Sequence, residues 1–379
     1  MALPKATYSV PKTPRVYIDN LLFAKAMNVK VNFGDLLRVA ENYTTTPFFS
    51  NIAERRRVWD LDPSRYVTIN NTDIDTKKIS SEFYIEQEYG SQIKPFLNLL
   101  HTSNYAALFN HNLFSGSDST VKLDVVYNGQ SLPDEDNPDW LLGYGGTPSS
   151  TAIVGQFGQD VDEDGFILSG IKLDSIQDEG QLHQFDFVIK PSSGEFLPEE
   201  FSYNIGSFSV GTYLDFPFAP DVEVKMSYSH EGVSNKRTVA GKDLTHINYT
   251  GAPNWGNLPP FTTSSAIDNF IGASHTGRKS WDMKFSYIDK TDMFNAIQSG
   301  STAGGYFRVI DNFSTGLKED SSILSTYLNR TLSGSLKHIL QPDNTRNEFY
   351  IVKLDQKSTK INQVSPGTFE ISLKFVQVW

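Results

Sequence analysis

The heptapeptide Trp281-Asp-Met-Lys-Phe-Ser-Tyr287 carries a large apolar or aromatic side chain at every second position. A two-residue period builds a pleated strand with one buried and one wetted face, and cannot form a stripe along a helix of 3.6 residues per turn. The C-terminus repeats the period, with Phe369, Ile371, Leu373 and Phe375 alternating with Glu370, Ser372 and Lys374. Val222, Val224, Met226 and Tyr228 alternate in the same way with Glu223, Lys225, Ser227 and Ser229. Residues 348–355 are also strand-like, and Ser365-Pro366-Gly367 supplies a turn before the last strand. The last third of the chain is therefore expected to be antiparallel sheet.

The middle of the chain follows the same grammar. Val121, Leu123 and Val125, then 166–173, then Phe185, Phe187 and Ile189 are short apolar segments separated by Gly, Pro, Asp or Ser clusters. Short strands at such spacing predict a sandwich or jelly roll. Composition agrees: 26 Phe and 17 Tyr bring aromatics to 13%, and aromatics pack well on half-buried pleated surfaces. Helical patterns are few and short, at 33–42, 91–100, 291–298 and 320–332. Strand-like 16–22, followed by a polar stretch containing Arg55, Arg56 and Arg57, reads as an N-terminal arm. The Pro-rich 216–220 marks a boundary. The expected organisation is an arm over 1–62, a jelly roll over 63–215 and a second antiparallel β-sandwich over 216–379.

Few chemistries survive inspection. With 33 basic and 44 acidic residues the net charge is −11, which opposes a phosphate-binding face. The chain contains no cysteine, so disulfides, thiolate nucleophiles and Cys-ligated zinc are excluded. Its N-terminus lacks the apolar core of a secretory signal, and no segment reaches the roughly 20 apolar residues of a membrane helix. A product folded in the cytoplasm and not inserted in a membrane is expected. Gly241-Lys242 is followed by Asp243, and the earlier P-loop glycine is replaced by Lys236. No H-E-x-x-H or G-x-S-x-G motif occurs.

Asp160, Asp162 and Asp164, followed by Gly165, match the first positions of a calcium loop, while Ile171 stands where the closing Glu belongs. The segment reads either as an acidic hairpin turn or as a Ca²⁺ site; no other cofactor is expected. Trp140 and Tyr144, with Trp59 and Trp255, lie in Gly-, Pro- and Asp-rich stretches. There they serve either as platforms for stacking a sugar ring or as plugs at the edge of a sandwich core.

Three stretches together resemble tail structural proteins of tailed bacteriophages, of the distal-tail or baseplate type. The first is the opening strand Pro14-Arg-Val-Tyr-Ile-Asp-Asn-Leu-Leu22. The second pairs Asn104-Tyr-Ala-Ala-Leu-Phe-Asn-His-Asn-Leu113 with Gly206-Ser-Phe-Ser-Val-Gly-Thr-Tyr-Leu-Asp-Phe-Pro217, similar to the start and end of a galactose-binding-like (discoidin-type) jelly roll. The third comprises Gly277-Arg-Lys-Ser-Trp281 through Tyr287, Leu340-Gln-Pro-Asp343 and the closing segment from Phe369 to Trp379. The resemblance implies a non-enzymatic virion protein forming a homo-oligomeric ring that joins the tail tube and hub to host-recognition components. Its ring contacts are expected at Trp281, Phe285, Phe369 and Trp379, on strand edges that invite pairing. Two alternatives stand beside it: a carbohydrate-binding module that grips a host surface glycan through Trp140 and Tyr144, and a polysaccharide-cleaving enzyme using an unassigned acid pair.

Overall fold

A computed structural model describes residues 13–27, 31–33, 58–63, 67–70, 79–86, 103–110, 121–130, 151–157, 166–170, 182–191, 202–221, 224–229, 233–247, 278–289, 323–346 and 348–378. The chain is mainly β, with antiparallel sheets and two short helices among these residues, in line with the sandwich class expected. In chain order the elements are β1 (Arg15–Asp19), α1 (Asn20–Ala26), β2 (Val31–Phe33), β3 (Val67–Asn70), β4 (Ile79–Glu86), β5 (Tyr105–Phe109), β6 (Val121–Gln130) and β7 (Thr151–Phe157). There follow β8 (Phe166–Gly170), β9 (Leu182–Pro191), β10 (Ser202–Ile205), β11 (Ser207–Asp215), β12 (Lys225–Ser229), β13 (Val233–Arg237) and β14 (Asp243–Ile247). The last are β15 (Arg278–Asp289), α2 (Ile323–Arg330), β16 (His338–Gln341), β17 (Tyr350–Leu354), β18 (Ile361–Ser365) and β19 (Thr368–Gln377).

One sheet of ten strands runs β12-β15-β19-β17-β16-β1-β11-β5-β8, with β18 paired to β19 beside β17. A five-stranded sheet has the order β2-β4-β9-β6-β7, and β3-β10 and β13-β14 form two-stranded pairs. Strand β1, from the segment expected to be an arm, lies between β11 and β16. The arm residues 58–63 also dock on the chain itself: Val58 O accepts from Phe208 N at 2.6 Å, and Trp59 packs on Phe208 with ring centroids 5.1 Å apart. The expected division at 215/216 falls within this continuous sheet, and Phe216 stacks on Phe285 at 4.9 Å.

The central strands are buried on both faces. Val16 and Ile18 enter one apolar cluster with Leu340, Val352 and the α2 residues Leu324 and Tyr327. Tyr17 enters the other with Tyr105, Phe109, Ile339 and Ile351. Such strands read as continuous apolar runs, while β15 and β19 alternate because only one of their faces is covered.

Three details depart from the sequence expectation, and one expected helix is present. The strand-like run 16–22 stops at Asp19, whose carboxylate accepts from Leu22 N at 2.8 Å and caps α1. Phe33, expected to open a helix, ends β2, while the rest of 33–42 and the expected helices at 91–100 and 291–298 lie outside the described residues. A bulge between Phe285 and Ile288 breaks the period of β15: Ile288 is buried, and Tyr287, at φ 67°, is 77% exposed. Asp221 occupies the bulge, accepting from Ser286 Oγ at 2.8 Å and donating its own N–H to Lys284 O at 2.7 Å. The helix expected over 320–332 is present as α2.

Two buried titratable groups tie the sheet together. Asp19 accepts from Ser209 Oγ at 2.7 Å, so the Tyr105 hydroxyl, 3.0 Å from the same oxygen, donates to it. Burial pushes the Asp19 carboxyl up to about 6, against the lowering effect of its bonds from Leu22 and Ser209. His338 lies 3.0 Å from Leu336 O through Nδ1 and 3.0 Å from Tyr327 OH through Nε2. A carbonyl only accepts, so Nδ1 carries the proton and Nε2 accepts from the tyrosine. Burial lowers the imidazole to about 4, against the raising effect of the Leu336 bond.

These shifts oppose each other in stability. The raised Asp19 contributes stability that is full below its unfolded value near 3.8 and is lost as pH rises through about 6. The depressed His338 contributes stability that is full above 6.5 and is lost as pH falls toward about 4. Each amounts to about 3 kcal/mol at full span, so they largely cancel. In urea unfolding between about pH 4.5 and 7, Asp19→Asn is expected to lose stability relative to wild type as pH falls, and His338→Gln to gain it. Parallel profiles for wild type and both variants would contradict these assignments.

Candidate interaction surface

The end of the large sheet built from β12, β15, β19 and β18 is only partly covered. In its middle, Trp281, Met283 and Phe285 face the same side as their register partners Phe375, Leu373 and Ile371, and all are buried. Phe216 and α2 belong to this cluster. Met226 stands opposite Trp281 in the β12-β15 ladder, so both point to one side, yet Met226 is 55% exposed and Trp281 4%. Val224 and Tyr228 are also exposed on this rim. On the other flank Ile361 pairs with the buried Ile371 but is itself exposed, as is Val364. The core face thus outruns its cover by one strand on each side.

The β12 rim is held in place by a packed group. The ammonium of Lys279 donates to Tyr350 OH at 3.2 Å, lies 4.7 Å from that ring's centroid and 5.6 Å from the Tyr228 ring. Trp281 packs on Tyr350 at 4.6 Å. The opposite face of these strands is wet and internally matched: Lys284 pairs with Glu370 at 2.8 Å and Lys374 with Asp355 at 2.6 Å. Asn362 also donates to Glu370, at 3.0 Å. Apolar docking capacity therefore sits on the rims and not on the charged face.

Beyond β12, the pair β13-β14 forms a hairpin. Gly241 N donates to Thr238 O at 2.9 Å and Thr238 N to Lys242 O at 2.8 Å, closing a tight turn that needs the left-handed conformation of Gly241, φ 82°. Register places Lys236 opposite Leu244 and Arg237 opposite Asp243, so neither face is apolar. Nothing in its period-2 pattern announced this hairpin; the only signal was the glycine turn.

The residues expected from sequence to make contacts are distributed differently. Trp281 and Phe285 are core side chains, and β15 and β19 are hydrogen-bonded on both edges, so neither offers a free edge. Withdrawing either ring from the core would forfeit about 2 to 3 kcal/mol, which outweighs a gain from a modest contact. Phe369 is half-buried against the same core. Among the described residues β12 is paired on one edge only, with β15. Trp59, one of the aromatic platforms considered, is 1% exposed and belongs to the core. Trp140, Tyr144, Trp255, Asp160, Asp162, Asp164, Trp379 and Arg55 to Arg57 lie outside the described residues.

Among the described residues no group of three or more His, Asp or Glu side chains is placed to hold a metal ion, and no helix is long and apolar enough to cross a membrane. Comparison with protein-family models and with curated proteins returned no match to this chain.

The two sides of the β12-β15 ladder should respond differently to substitution. Met226→Lys is expected to change unfolding free energy by less than about 0.5 kcal/mol, and Trp281→Ala to cost about 3 to 5 kcal/mol. Denaturant unfolding measures both, and similar losses would contradict an uncovered β12 rim.

Proposed function

We propose that the chain is a non-enzymatic structural subunit of a phage tail tip or baseplate, assembling as a ring that joins the tail tube to host-recognition components. The observation that carries this reading is the unfinished end of the large sheet: an edge strand, β12, with an apolar rim of Val224, Met226 and Tyr228 left exposed beside a buried core. An exposed strand edge next to uncovered apolar side chains is a template for pairing with another chain. The sequence resemblance of the opening strand, the 104–113 and 206–217 segments and the C-terminal strands to tail proteins supplies the kind of assembly. A ring requires a heterologous contact, in which two different patches of the same chain meet and the rotation closes. An open edge in one place and other surfaces elsewhere provide such unlike patches. The proposed setting is the virion, after folding in the host cytoplasm.

Light scattering with negative-stain imaging of the purified chain tests the reading. Closed rings with a central channel are expected; a monomer at every concentration reached would contradict it.

A further inference from the structure

We infer that residues 58–63 are a latched plug: a strap that fills the notch left where β1 turns into α1, and that opens and recloses as a unit while the sheet stays folded. The inference is independent of the ring reading and goes beyond it.

The notch comes from the path of β1. Its pairing with β11 ends at Asp19 and Gly211, where the chain turns away into α1. Beyond that point the edge of β11 still presents the N–H of Phe208, which donates to Val58 O at 2.6 Å. The strap fills the notch with apolar side chains. Val58, Trp59 and Leu61 are all buried, Trp59 against Phe208 and Leu61 in the cluster of Tyr17 and Tyr105.

The strap is fastened by side chains and not by strand pairing. No ladder among the described strands includes it. Four of its carbonyls are held by side chains from four different parts of the fold. Ser207 Oγ donates to Val58 O at 3.1 Å, Lys25 of α1 to Trp59 O at 3.0 Å, Lys337 to Leu61 O at 3.2 Å, and Asn110 to Pro63 O. The Lys337 ammonium also lies 4.0 Å from Asp62. All of these can be released with the ladders intact: β11 keeps β1 and β5, and β1 keeps β16.

Closure carries costs that opening relieves. Leu61 is held at φ 51°, a left-handed conformation unfavourable for a bulky side chain. Asp60 Oδ1 is buried without a hydrogen-bond partner, and burial pushes this carboxyl up although Lys337 and Lys25 pull it down. The two lysines give up side-chain freedom to reach their carbonyls. A segment with stored strain and few backbone bonds opens at lower free energy than the paired strands beneath it. Opening bares the apolar notch and turns a sealed stretch of β11 into a free strand edge.

The chain has no cysteine, so one introduced thiol reports opening through its rate of labelling. Val58→Cys probes the strap, and Val352→Cys, buried in β17, reports global unfolding. Under native conditions the strap thiol is expected to label at least about tenfold faster than the reference. Lys337→Met is expected to raise that ratio about fivefold by removing a catch, and Asp60→Asn to lower it. Equal rates at the two thiols would show that the strap is released only in global unfolding and would overturn the plug. A ratio that neither Lys337→Met nor Asp60→Asn moves overturns the latch. Should Val58→Cys fail to fold, the near-isosteric Ser207→Cys, beneath the strap, is read in the same way.

Discussion

Strand β1 is hydrogen-bonded on one side to β11 and on the other to β16, and the large sheet depends on that double pairing. Its partners come from the middle and from the C-terminal part of the sequence, so the five residues Arg15–Asp19 join strands that no short connection could bring together. The side chains follow the backbone. Val16 and Ile18 enter the cluster that includes α2, and Tyr17 enters the cluster on the opposite face, edge-on to Tyr105 at 5.1 Å. Its hydroxyl reaches Gln341 at 2.8 Å, while Arg15 forks onto Asp215 at 2.7 and 2.9 Å. Asp19 then ends the strand by capping α1 and gripping Ser209 on β11. Gly211, opposite Asp19, has no room for a side chain, because a Cβ there would collide with Ile18 O.

Burial on both faces at the centre has a consequence at the end of the sheet. Cover is concentrated over the middle strands, so β12 and β18 carry core-facing side chains with little above them. A chain that buries Trp281 beside an exposed Met226 has built its own core to completion and left a rim. The matched ion pairs on the wet face give a partner little to gain there, whereas the rim presents uncovered apolar surface. The assembly reading rests on this contrast.

What the sequence disclosed follows the reach of each interaction. Alternation at 281–285 and 369–375, and the turn at Gly367, were legible because they depend on neighbours two residues apart. The bulge was not, because it depends on Asp221 reaching Ser286 from a distant segment; the run ending in Tyr287 therefore looked regular. Helix α1 escaped notice because Asp19 and Asn20 interrupt an apolar run that continues smoothly into Leu21 and Leu22, and the capping bond alone marks the change. The β12 pattern revealed a strand but not its exposure, since alternation records which side faces inward and not whether anything lies there. Hairpin β13-β14, polar on both faces, has no period to read. Trp281 and Phe285, expected at a subunit contact, are core side chains here for a related reason: an apolar face on a strand serves a chain's own core before it serves a partner.

Amide hydrogen exchange along β1 tests most directly whether this strand splices the sheet together. The amides of 16–19 are expected to be as slow as those of β11 and β16 and to be released only in global unfolding. Rapid exchange at 16–19 while β11 and β16 remain protected would show that the sheet stands without β1 and would contradict the account.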